Sequence, residues 1–196
     1  MIPPARPYTV RMVRVRGIAL LGAIQFVKDE FGPDAHQRVL DSLPEATRSS
    51  FAAPLRDAVW KPLEDLAAYA GAARRLLAPD DPHFYERLGY QAGRVEREQG
   101  GFHPMVADAA TAIRLAGTIW RSLYDAGRME LIADGDGRAR ARIHDFPTFP
   151  ALCQANGAAL SGLLGSAERP VRTTQLACVL DGADYCEWEV AWTDKG

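Results

Sequence analysis

A chain of 196 residues, 47% hydrophobic and 24% charged, is long enough to bury one core unaided and fits one domain better than several. Its net charge of -2 gives no general attraction to nucleic acid or anionic lipid. No run approaches the roughly 20 apolar residues of a membrane helix, and the start Met1-Ile2-Pro3-Pro4-Ala5-Arg6-Pro7 lacks the apolar stretch of a signal peptide. With 3 cysteines, an odd count, the expectation is reduced thiols in a cytoplasmic protein rather than a disulfide framework.

Residues 1–7 read as a flexible lead-in to a single domain over 8–196. Tyr8 to Arg16 is the first predicted strand, with Val13 and Val15 alternating with Arg14 and Arg16. Ile18 to Phe31 has a helical period and ends at Gly32-Pro33, where a second helix opens and runs to Leu43. Pro44 breaks it, and a short helix follows through Phe51. The spacing of Leu63, Leu66, Ala70, Ala73 and Leu77 predicts a helix over Trp60 to Leu77. Pro79-Asp80-Asp81-Pro82 stops it and opens another from His83 to Gln99, on which Gly89 and Gly93 make one small face. Met105 to Ala126 is the longest predicted helix, opened by Pro104 and closed by Gly127.

The period then changes to two. Met129 to Ala133 and Arg138 to His144 flank Asp134-Gly135-Asp136-Gly137, a hairpin signal. A helix over Phe149 to Leu164 precedes a second hairpin, Pro170 to Val179 with Tyr185 to Trp192. The order predicts an α+β fold, a helical layer packed on an antiparallel sheet.

Enzyme motifs are scarce. Gly162-Leu163-Leu164-Gly165 is no phosphate loop, no His-Glu-x-x-His is present, and Ser161 lacks a nucleophile-elbow setting. Glu96 and Glu98 read as the charged face of a helix. Arg138, Arg140, Arg142 and His144 read as a solvated strand face, or as guards of a sheet edge. Aromatic interleaving of the RNA-binding kind is missing.

The cysteines fall late. Cys153 opens a Cys-x3-Gly-x4-Gly frame with Gly157 and Gly162; Cys178, Gly182 and Cys186 follow, closed by Trp188-Glu189-Val190. This C-terminal pattern resembles the 4-vinyl reductase domain family. Val15-Arg16-Gly17-Ile18, Phe26-Val27 and Phe31-Gly32 resemble the opening of bacterial haem-NO-binding-like proteins. The resemblance implies the fold shared by those families and the small TRAPP tethering subunits, the NO-signalling-and-Golgi-transport fold. It also implies small-molecule sensors, carriers or assembly subunits that commonly form homodimers.

The sensor branch places a zinc site on a cysteine near the last long helix and on Glu-x2-Cys-x7-Cys. By position the ligands would be Cys153, Cys178 and Cys186, with Gln175 where the glutamate stands. His144 or Glu187 could complete a shell of four; the other reading is three packed core thiols. For a sensor, Phe102, His103, Trp120 and Tyr124 are the candidate ligand pocket, suited to a hydrophobic or aromatic small molecule. The Tyr-x-Ser-x-Arg signature of haem-NO-binding domains is absent, so haem is set aside and zinc kept as the candidate cofactor. The leading expectation is a non-enzymatic sensor or carrier acting through a protein partner. The alternatives are a dimeric scaffold module like the TRAPP subunits and, last, an enzyme of tetrapyrrole metabolism.

Overall fold

The computed structural model describes residues 12–52 and 59–192. The lead-in 1–7 and the first residues of the predicted strand lie outside that range. What remains of the strand, β1 (Arg14–Arg16), pairs antiparallel with β2 (Trp60–Pro62), Val15 opposite Lys61. Val15 is fully buried, and the guanidinium groups of Arg14 and Arg16 lie 5.8 and 5.3 Å from the Trp60 ring centre. The helix predicted from Trp60 therefore starts three residues later. Pro62 is held extended, and the Leu63 N–H donates to the Val13 carbonyl at 2.9 Å instead of entering a preceding turn.

Four helices then build the body: α1 (Gly17–Phe31), α2 (Pro33–Asp41), α3 (Glu45–Ala52) and α4 (Leu63–Leu77). Gly32, at φ 88°, makes the bend that lets Pro33 open α2. Next comes α5 (Phe84–Gln99), whose Phe84 meets Phe26 edge-on at 5.3 Å. The predicted helix over Met105 to Ala126 splits. His103–Met105 is a single 3-10 turn, and α6 (Ala109–Leu123) begins afresh because the Asp108 carboxylate accepts from the Thr111 N–H at 2.8 Å. Tyr124, not Gly127, ends α6 by turning extended.

The sheet has the order β3-β4-β6-β5, from β3 (Arg128–Ala133), β4 (Arg138–His144), β5 (Val171–Ala177) and β6 (Cys186–Trp192), all antiparallel. Between the hairpins runs α7 (Pro150–Leu164). Ala141 faces Trp188 and Ile143 faces Cys186 in register, and α6 and α7 cover the sheet. Buried hydrophobic side chains run continuously from the helices into the sheet. The α+β layer architecture expected from the period change is present.

Two expectations about surfaces change. β4 is an inner strand, so its arginines guard no edge. They are also paired: Arg138 with Glu189 at 3.9 Å, Arg140 with Asp134 at 2.6 Å and Glu187 at 3.3 Å, Arg142 with Glu187, and His144 with Glu130 at 2.8 Å. The small face of α5 predicted at Gly89 and Gly93 is spent inside the chain against α7, so it is not free to serve a dimer. A Cβ added at Gly89 would lie 2.2 Å from the Ala155 carbonyl oxygen, and one at Gly93 2.1 Å from that of Ala159. No described helix is long and apolar enough to cross a membrane.

Candidate functional site

The last turn of α6 carries Ile119, Trp120 and Leu123 inward, all buried. The Trp120 indole N–H donates to the Ala126 carbonyl at 2.9 Å, which fixes the ring across the turn. Tyr124 stacks beside it with ring centres 4.4 Å apart, and Phe146 meets the two edge-on at 4.9 and 5.0 Å. Trp120 and Tyr124 wall one side of a cavity of about 30 Å³ where α5, α6, α7 and the sheet meet. Met129, Ile143 and Asn156 line other sides, and α5 contributes Glu96.

Glu96 is 5% exposed, and no described residue donates a hydrogen bond to its carboxylate or pairs with it. Burial pushes the carboxyl up to about 8, so at neutral pH it holds its proton. The Tyr124 phenol is raised too, by burial first and then by the charge Glu96 can carry. An acid without a partner in an apolar interior costs folding free energy that a leucine would not. Assigning Glu96 to a charged helix face is therefore incorrect. It lies three residues beyond Gly93 and seven beyond Gly89, on the face that meets α7, and that spacing was the available signal.

Of the four residues expected to form a ligand pocket, Trp120 and Tyr124 come together here. Phe102 is buried elsewhere, its ring edge where a Cβ on Gly100 would approach to 3.1 Å. His103 is exposed in the 3-10 turn and borders a separate surface groove of about 670 Å³, with Arg97, Glu98 and Arg169.

The three cysteines converge as their spacing suggested. The Cys153 and Cys178 sulfurs are 3.2 Å apart, those of Cys186 and Cys178 3.9 Å, and all three thiols are buried. Burial pushes Cys153 up to about 12. At Cys178 burial acts upward, but the Leu180 N–H and the adjoining thiols outweigh it and bring the thiol below its ordinary value. Among the described residues, only these three thiols come together as a group that could hold a metal. The Gln175 side-chain amide donates to the Cys153 sulfur at 2.9 Å, His144 is held by Glu130, and Glu187 by Arg140 and Arg142.

No family model matches this chain, and no curated protein matches it. Solved structures do. An H-NOX protein from S. oneidensis in the Fe(II)NO ligation state superposes with TM-score 0.68 at 13% identity, covering 91% of this chain and 99% of the other. The H-NOX domain from Shewanella oneidensis in the Fe(II)CO state gives 0.68, 13%, 92% and 99%. A structure of heme redox potential modulated through protein-induced porphyrin distortion gives 0.59, 8%, 91% and 99%. These findings overturn the cofactor expectation. Proteins that share the fold are solved with iron and heme, so the missing Tyr-x-Ser-x-Arg signature is no ground for setting haem aside. Zinc has no support from them, nor from a thiol cluster whose remaining neighbour is an amide donor. From β1 to β6, this chain has the fold of the H-NOX domains.

Proposed function

We propose that the chain is a small-molecule sensor domain that takes its ligand at the junction of α5, α6, α7 and the sheet and signals by protein contact. The observation that carries this reading is the unpaired Glu96 beside the Trp120–Tyr124 pair, a buried polar group that packing alone does not explain. H-NOX proteins solved in NO- and CO-ligated states support it by fold. Kinship with 4-vinyl reductase domains rests on the spacing of Cys153, Gly157, Gly162, Cys178, Gly182 and Cys186. We take 8–196 as one domain, acting in the cytoplasm as a homodimer or with a protein partner.

Haem needs an axial ligand and room for the macrocycle. Among the four histidines, His36 bonds Tyr69, His83 bonds Glu86 and His144 bonds Glu130, whereas no described residue holds the His103 ring. His103 is the residue that would offer iron a nitrogen. The enclosed space beside Trp120 is an order of magnitude below the roughly 300 Å³ of a small-ligand pocket. The space beside Trp120 is too small for a macrocycle. The small size of that space is also the one observation favouring the scaffold reading.

Native mass spectrometry of the purified protein tests the proposal, joined to tryptophan fluorescence of the wild type and of Trp120→Phe, whose difference reads Trp120 among the 4 tryptophans. The expected result is a co-purified or added small molecule that raises the melting temperature and changes the emission. A protein that carries no ligand and answers to none of a metabolite panel, while forming a stable dimer, would establish the scaffold instead.

A further inference from the structure

We infer that the Glu96 cavity is a subsite for the cationic head of a small amine, an ammonium or primary-amine group of about the size of water. The inference rests on the reading above and names the ligand class. Three observations carry it. First, the cavity of about 30 Å³ accepts one or two water-sized groups and nothing larger, since one water needs ~10–15 Å³. Second, its one acid is Glu96, 5% exposed, on which no described residue places a compensating charge or donor. Third, the rest of the lining is neutral. Tyr124 at the end of α6 is the titratable group that faces Glu96; α7 supplies Asn156, β3 Met129 and β4 Ile143.

A buried carboxylate is stable where a cation meets it. Arginines serve that purpose for Glu187 on the sheet; at Glu96 the protein supplies none. An incoming ammonium would pair with the carboxylate, accept contact from the aromatic wall, and give hydrogen bonds to the carboxylate and Asn156. The empty site holds its proton on Glu96. Binding of the cation at neutral pH therefore breaks the Glu96 O–H bond and releases that proton to solvent, while the ammonium keeps its own protons. Neutral charge is preserved in the cavity.

The test is thermal melting of the whole chain in ammonium, methylammonium, tetramethylammonium and sodium chloride at matched ionic strength and pH. Ammonium and methylammonium are expected to raise the midpoint by several degrees over sodium, and tetramethylammonium, too large for the cavity, is not. Glu96→Gln is expected to keep a cooperative melt and lose the difference. Should that variant not fold, calorimetry on the wild type in two buffers of different ionisation enthalpy reads the second signature, close to one proton released per ammonium bound. Equal melts in ammonium and sodium, or binding without proton release, overturn the inference. If another ligand still shifts the melt and the tryptophan emission, only the amine assignment has failed; if none does, the sensor reading has failed with it.

Discussion

The carbonyl oxygen of Ala159 lies where the Cβ of residue 93 would be: a side chain built on Gly93 comes within 2.1 Å of it. Gly162 makes the reciprocal fit on α7, with the Tyr90 carbonyl 2.1 Å from its Cβ position. The two helices thus cross backbone to backbone, and this crossing fixes how far Glu96 and Asn156 stand apart. Gly93→Ala must push the helices apart, and it is expected to lose about 1–3 kcal/mol, as overpacked cores do. Urea titration checks this. Gly71→Ala is the control. Its Cβ meets only the flexible Arg75 side chain at 3.6 Å, and a helix-interior alanine there is expected to gain about 0.5–1 kcal/mol.

Glu187 holds the sheet's charged face together. It is buried on the inner strand β6 and accepts from Arg140 and Arg142, with Arg138 and Glu189 alongside. Glu187→Gln keeps the shape and removes the charge, leaving a row of guanidinium groups that repel. The expected result is a drop in melting temperature of about 5 °C, largely recovered in 1 M sodium chloride, where charges separated by more than about 3 Å are screened. A drop that salt does not touch would mean that lost hydrogen bonds, not repulsion, dominate.

The period of the sequence carried the architecture. Alternation in Arg138 to His144 marked a strand because every second residue is apolar, and the glycine-aspartate turn before it closed the hairpin. It did not carry Trp60–Pro62, because a three-residue strand shows no period and Leu63 begins a real helix directly after it. The break at Asp108 has a capping side chain as its only sequence signal, set within the run that spacing alone reads as one helix. At the site, Trp120 and Tyr124 stood out as large aromatics, and the cysteines by their frame. Glu96 did not, since a carboxylate flanked by Arg94 and Arg97 looks solvated until one asks which face of α5 meets α7. The separation of His103 from Trp120 depends on a tertiary turn that no local pattern encodes.

The cysteine cluster makes a statement about order of reaction. The Cys178 thiol sits below its ordinary value and beside the chain turn that ends β5, whereas Cys153 is pushed up to about 12 at the foot of α7. Thiolate is the reacting form. Under limiting iodoacetamide at pH 8, peptide mapping is expected to find Cys178 modified first and Cys153 only after unfolding. Labelling of Cys153 ahead of Cys178 in the folded protein would show that access, rather than thiolate population, governs the cluster.

The sign of the pH dependence of folding is set at Glu96. Its folded value is about 8, against 4.5 for the free group, so between these limits the native state holds a proton that the unfolded chain has released. The slope of unfolding free energy with pH follows protons bound unfolded minus protons bound native, which is negative here. Stability contributed at this site is complete below pH 4.5, declines as pH rises, and is lost by about pH 8. Over that window the loss is on the order of a few kcal/mol. The surface carboxylates act oppositely: Asp81, lowered by its hydrogen bonds from Arg87 and from the His83 N–H, favours folding once pH exceeds its unfolded value. Urea midpoints in sodium buffers from pH 5 to pH 8.5 are expected to fall for the wild type and stay nearly level for Glu96→Gln, which should be the more stable of the two at pH 8.5. Parallel curves for the two proteins would place the carboxylate in contact with water and remove the cavity from consideration as a binding site.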